Sequence, residues 1–338
     1  MNPLHLDDQT ISALLDPASV TDAVGAAFIA WGGGHAATTQ RVRSSADGLM
    51  ASAMAAVVPP YSGGKMYATS DGVFTFVIVL FDAAGQLLCT LDGDIVTALR
   101  TPAASALAIR ALAAPDASTA ALIGSGRQAW THLTMLADEL PGLERLNVCS
   151  RRPEAAARLV ERARAIGVPA HVAATPAEAV AGGDVVVTVT SSSEPLFPAS
   201  AVSDRALLCA VGATKYDRRE IDAETVARCA VVVCDDAVGS RSESGDLIDA
   251  VARGAFDWER AIELHDVLAG NVDVPRAGQA PVLFETQGVA IQDVAVAGLA
   301  YERHRTAASH HPSSTHPSAG HRSASHPSHT SSPREGTQ

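Results

Sequence analysis

The sequence predicts an α/β fold in which a doubly wound parallel sheet is joined to a second, α+β domain. Between residues 116 and 285, short and nearly continuous apolar runs alternate with helical patterns. Strands covered on both faces of a parallel sheet read this way. A glycine-rich turn joins the first of these runs to a helix, and residues 1–115 follow a different pattern that includes the alternating segment Val73–Phe81.

Along the chain, residues 16–31 read as an opening helix. Segments 73–81 and 86–91 read as strands joined by the hairpin-like turn Asp82-Ala-Ala-Gly85, and 97–113 as a helix. The small residues of 51–58 point to an unfilled cleft. The second domain offers strands at 120–124, 145–150, 171–174, 184–190, 206–212 and 230–235, with helices 128–139 and 153–166 between the first three. Pro153 suits a first helical position, where its missing N–H costs nothing. Residues 286–305 read as a helix returning to the first domain. The expected domains are therefore 1–115 with 286–305, and 116–285. Residues 306–338 are Ser, His, Pro, Thr and Ala with almost no large apolar side chain, and they read as a disordered tail. Six of the twelve histidines lie there, a source of loose affinity at most, and no specific metal site is expected.

Composition excludes several classes. The chain carries 25 Lys+Arg against 37 Asp+Glu, a formal charge of −12, and has no dense cationic block. Nucleic acid is therefore not an expected partner. The run Val73–Phe81 is well short of the ~20 residues a membrane helix needs. The N-terminus has neither the basic stretch nor the apolar core of a secretion signal, so a cytoplasmic protein is expected. The five cysteines (Cys89, Cys149, Cys209, Cys229, Cys234) form no CxxC pair and read as small core hydrophobes.

The glycine-rich turn is Gly124-Ser125-Gly126-Arg127-Gln128-Ala129, a Gly-x-Gly-x-x-Ala between strand and helix. In a Rossmann domain the first glycine makes the tight turn and the second lets backbone approach a pyrophosphate. The small third residue brings helix and strand together, and the helix N-terminus faces the phosphates. At the end of the second strand, where an NAD enzyme carries a carboxylate for the ribose hydroxyl, this chain has Ser150-Arg151-Arg152. Two guanidiniums suit a 2′-phosphate, so NADP(H) is favoured over NAD(H).

The segments Gly64-Lys65, Leu91 to Ser105 (LDGDIVTALRTPAAS), Ile123 to Ala129, Val211-Gly212 with Glu220, Glu243-Ser-Gly245-Asp246 and Gly288 to Asp293 together resemble the ornithine cyclodeaminase/μ-crystallin family. The resemblance implies a homodimer whose substrate domains pair, with the active site facing the Rossmann domain. It also implies a carboxylate clamp made by Lys65, Arg100 and one of Arg41 and Arg43, where spacing to Lys65 favours Arg41. Arginine fits that task because its fork matches a carboxylate bidentately. On their own, Arg41 and Arg43 read as a solvated pair. Lys65 follows Ser62-Gly-Gly64, read as a loop, and could also supply a proton. Thr75 matches a substrate-domain threonine of the family and Thr101 a cofactor-contacting one.

One departure shapes the expected activity. Cyclodeaminases of this family carry an Asp just after the Val-Gly turn, where this chain has Thr214, which is no base at neutral pH. Residues 48–70 hold no carboxylate either, although Asp293 could compensate. The expected activity is NAD(P)H-dependent reduction of an α-imino acid or cyclic ketimine, or oxidation of the amino acid. A cyclodeaminase that recycles bound cofactor and a non-catalytic NADP(H)-binding protein are the alternatives.

Overall fold

A computed structural model describes residues 4–70 and 73–309. The first half comprises β1 (Leu4–Leu6), α1 (Asp8–Leu14), α2 (Pro17–Gly32), β2 (Ala37–Thr38), β3 (Val42–Ala46), β4 (Leu49–Val58), β5 (Tyr61–Ser70), β6 (Val73–Phe81), β7 (Leu87–Asp92) and α3 (Asp94–Leu112). The rest comprises β8 (Thr119–Ile123), α4 (Arg127–Glu139), β9 (Arg145–Cys149), α5 (Pro153–Ala165), β10 (Ala170–Val172), α6 (Pro176–Val180), β11 (Val185–Thr188), β12 (Leu207–Ala210), α7 (Ala223–Arg228), β13 (Val231–Cys234), α8 (Ala237–Glu243), α9 (Gly245–Ala252), β14 (Ala261–Glu263), α10 (Leu264–Ala269), β15 (Val282–Glu285) and α11 (Ala290–Ser309).

The strands form two sheets. In the first the order is β1-β7-β6-β5-β4-β2, with β3 also on β4, and all pairs are antiparallel except β1 with β7. One face is covered by helices. The cross-strand row Met54–Lys65–Ile78–Leu91 points into that covered face, and all four residues are buried. Strand alternation sends Met66 and Val77 to the opposite face, where both are exposed.

The second sheet is parallel throughout, in the order β10-β9-β8-β11-β12-β15-β13-β14. Every residue of β11, β12, β13 and β15 is buried, which is why these strands read as unbroken apolar runs. The topological switch lies between β8 and β11, the place where such sheets open a ligand crevice beyond their strand ends. Helix α3 joins the halves by packing on α2, α4 and α11 and reaching β12 and β15. Among the described residues it is the one helix long and apolar enough to cross a membrane, yet two-thirds of it is buried inside the protein.

Several expectations need correction. Gly63, Gly64 and Lys65 lie in the middle of β5 rather than in a loop, and residues 51–58 belong to its partner β4 rather than to the wall of an open cleft. The segment expected as a helix from 286 first adds β15 just before it, then a turn, and turns helical only at Ala290. That helix runs on to Ser309, so residues 306–309 are helical and not tail. The remainder of the expected tail, 310–338, lies outside the described residues. Helix α11 packs on α2, β4, β5 and β6 of the first half.

Candidate active site

The candidate side chains gather in two clusters that touch. The first surrounds Lys65, which is 1% exposed. Its ammonium sits 3.2 Å from Asp293 Oδ1, donates to Thr97 Oγ1 at 2.5 Å and lies 4.5 Å from the centre of the Phe76 ring. Arg100, on α3, places Nε 3.5 Å from the same Asp293 oxygen and donates through Nη1 to Gln292 Oε1 at 2.7 Å. A lysine in an apolar row of a sheet is costly without a counter-charge, and Asp293, fully buried on the first turn of α11, supplies one. Burial still pulls Lys65 down to about 8, with Arg100 and Arg41 adding to the fall and Asp293 opposing it.

The second cluster holds both candidate clamp arginines. Arg41 Nη1 donates to Glu243 Oε2 at 2.5 Å, and Arg43 Nη1 donates to the other Glu243 oxygen. Arg41 Nη2 also donates to the carbonyls of Gln287 and Gly288, at 2.9 and 2.7 Å. Glu243 ends α8, so this contact ties the first half of the chain to the second. Burial raises the Glu243 carboxyl while the two arginines pull it back down. The loop 286–288 is itself fixed by buried Asp235, which accepts from Thr286 Oγ1 and from the backbone N–H groups of Gln287 and Gly288.

Gly288 is where the clusters meet. Its φ is +78°, and a Cβ there would collide with the Arg100 guanidinium. Only glycine lets one backbone turn face Arg100 while offering its carbonyl to Arg41. Around this point lie buried polar atoms that make no hydrogen bond among the described residues: Arg41 Nε, Arg100 Nε, Gln287 Oε1, Gln292 Nε2 and Asp293 Oδ2. Unsatisfied donors and acceptors concentrated at one place mark a site built for something polar to enter.

The dinucleotide turn adjoins the Lys65 cluster. Gly124 follows β8 with φ +140°, and α4 begins at Arg127 without a side-chain cap, leaving its first N–H groups for a ligand. A Cβ at Gly126 would meet no protein atom within 4 Å, so packing within the chain does not demand this glycine. Space kept open in front of a helix N-terminus fits a pyrophosphate. Ser125 and Ser150 hydroxyls are 2.7 Å apart across the turn. Gln128 reaches the first cluster by donating from Nε2 to the carbonyl of Thr97 at 3.1 Å. Behind it, buried His132 faces the Gln128 carbonyl through Nδ1 and Ser105 Oγ through Nε2. A carbonyl can only accept, so Nδ1 carries the proton and Nε2 accepts from the serine. Burial pushes His132 down to about 4, which keeps it a neutral tie between α3 and α4.

The remaining expected residues divide. Thr101 is buried and donates to the Thr97 carbonyl at 2.7 Å, and the Thr214 carbonyl accepts from Arg43 Nη2 at 3.3 Å. Arg127 pairs with Asp94 at 3.0 Å. Arg151 and Arg152 stand exposed just past β9, and their side chains have no partner among the described residues. Thr75 is not brought to the site. It lies three residues from inward-facing Ile78, so strand alternation turns it to the outer face, exposed and paired with Ala68. The sequence reading missed Thr97, Gln292 and, above all, Glu243. Glu243 was visible only as part of the Glu-Ser-Gly-Asp segment.

With this geometry in hand, comparison with known proteins is direct. The sequence model of the ornithine cyclodeaminase/mu-crystallin family matches residues 8–308. The Delta(1)-pyrroline-2-carboxylate/Delta(1)-piperideine-2-carboxylate reductase of Azospirillum brasilense is 36% identical over 308 residues, covering 83% of this chain and 94% of its own length. The Thermococcus litoralis Delta(1)-pyrroline-2-carboxylate reductase, solved with NADH and L-proline, superposes with a TM-score of 0.85 at 26% identity, over 90% of this chain and 98% of its own. An archaeal alanine dehydrogenase dimer with bound NAD gives the same TM-score at 27% identity, over 91% and 98%.

Proposed function

This chain belongs to the ornithine cyclodeaminase/mu-crystallin family, and on that premise we propose that its crevice reduces an α-imino acid or cyclic ketimine to the amino acid. It is an NAD(P)-dependent oxidoreductase of that family type. The observation that carries the reading is the charge balance of the crevice. Among the described residues, four cations, Arg41, Arg43, Lys65 and Arg100, share two carboxylate ion-pair partners, Glu243 and Asp293, while nearby Asp235 and Asp236 are engaged by Thr286, Gln40 and backbone N–H groups. Cations held two to a carboxylate and shielded from water favour a ligand that brings its own carboxylate.

The bound nicotinamide supplies the hydride. The chain's own residues do the rest. Arg41 and Arg100, each with a buried Nε–H that makes no hydrogen bond, hold the substrate carboxylate and thereby orient the C=N bond. Lys65 gives a proton to the imine nitrogen, so that C–H and N–H bonds form as the C=N double bond becomes single, and solvent reprotonates the lysine. Ser125, Gly126, Ser150 and the open end of α4 hold the dinucleotide. Arg151 and Arg152, unpaired and exposed, support a preference for NADP(H) over NAD(H). A homodimer is the assembled state, supported by the exposed apolar residues Val42, Met66 and Val77 on the outer face of the first sheet.

The test is an absorbance assay with NADPH against cyclic imines and a control with ornithine. Consumption of NADPH with Delta(1)-piperideine-2-carboxylate or Delta(1)-pyrroline-2-carboxylate is expected. Ammonia release from ornithine without net cofactor change would instead make the protein a cyclodeaminase.

A further inference from the structure

We propose that Asp293 is a positioning residue that keeps the Lys65 ammonium charged and oriented, so that proton delivery depends on the carboxylate beside the lysine. The inference rests on the reading of Lys65 as proton donor and adds what holds the proton there.

Every group around Lys65 can be named. Strands β4 and β6 place Met54, Ile78 and the Phe76 ring beside it, and none of the three titrates. Helix α3 contributes Thr97 and Arg100, α11 contributes Asp293, and Arg41 acts from beyond Met54. Asp293 is the only anion in this set. Thr97 accepts from Lys65 while its own hydroxyl proton goes to the Gly93 carbonyl at 2.5 Å, so it offers a neutral acceptor but no charge. Burial and both arginines act against the ammonium, which titrates near 8 even with Asp293 in place. Without that carboxylate, the Thr97 acceptor and the Phe76 ring still favour the charged form, but neither brings a counter-charge.

Composition gives an independent reason to read Lys65 as a group that titrates. Of the 25 lysines and arginines in the chain only two are lysine, Lys65 and Lys215. Arginine serves every other cationic position, including its neighbours in the cluster. An arginine here would hold a carboxylate as well or better, but it cannot lose a proton near neutral pH. The step is balanced: the Lys65 N–H bond breaks, the imine nitrogen gains that proton, and the hydride comes from the reduced cofactor.

The same scarcity makes the test direct, because protein labelled in its lysine side chains gives two signals, with Lys215 as internal reference. In the unaltered protein the Lys65 midpoint is expected at about 8. In Asp293→Asn its midpoint is expected to fall by about one unit or more. The pH at which imine reduction with NADPH declines should fall with it, while NADPH affinity stays within about threefold. An unmoved midpoint in folded Asp293→Asn would overturn the proposal. Thr97→Val, which removes only the neutral acceptor, should move the midpoint by less than about half a unit. A larger fall there would assign the proton's retention to Thr97 and overturn the proposal even if Asp293→Asn does not fold. Turnover surviving in Lys65→Arg would overturn the donor reading and the delivery half of the proposal, whereas the spectral midpoint judges the Asp293 half separately.

Discussion

The two places where this chain presents cations differ in what surrounds them. In the buried clusters, Lys65 and Arg100 pack against Asp293, and Arg41 packs against Glu243. Past the end of β9, Arg151 and Arg152 stand in solvent with no protein partner among the described residues. The first group is pre-organised by the fold and works in a low-dielectric setting, where a charge is strong but must be balanced. The second is screened by water and salt, and gains its role only when an anion arrives. On the proposed reading, reaction chemistry belongs with the first arrangement, and discrimination between two similar cofactors with the second.

If that contrast is correct, substitutions should separate into graded classes. The largest effect belongs to Lys65→Met. Loss of a positioned proton donor lowers kcat/KM for imine reduction by about 10²–10⁴-fold, with NADPH affinity by fluorescence quenching nearly unchanged. Equal loss of both would show that Lys65 supports the fold rather than the reaction. Next comes Arg41→Met, expected to raise KM by about 10–100-fold, the size of a charge-assisted hydrogen bond removed from a buried carboxylate site. Smaller still, exchanging Arg151 and Arg152 for Glu should move the ratio of NADPH to NADH kcat/KM by about tenfold toward NADH, an effect weakened by added salt. An unchanged ratio would contradict the 2′-phosphate role. Thr75→Ala, on the outer sheet face, should change kcat/KM by less than about twofold.

Legibility in the sequence follows the same division between local and distant information. The parallel sheet was readable because strands such as Val185–Thr188 and Val231–Cys234 are apolar throughout, a local signal. The glycine turn was readable because its residues are contiguous. Strand Val282–Glu285 escaped because four residues after an irregular stretch carry too little periodicity. Residues 62–65 were mistaken for a loop because two adjacent glycines normally end a strand. Asp293 and Lys65 are 228 positions apart, and Glu243 and Arg41 are 202 apart. No spacing rule reaches across such separations, so the arginines, the lysine and Asp293 could be named, but which carboxylate pairs with which cation could not. Thr75 was misassigned because its face of the sheet depends on register, which is set by its partner strands.

The most direct measurement follows the hydride itself. Incubating the protein with a cyclic imino acid and NADPH carrying deuterium on one or the other face of nicotinamide C4, then weighing the product amino acid by mass spectrometry, reads the central claim in one experiment. Transfer of a single deuterium to the α-carbon from one labelled face and not the other is the predicted result. An amino acid formed without label from either face, or no amino acid at all, would contradict it.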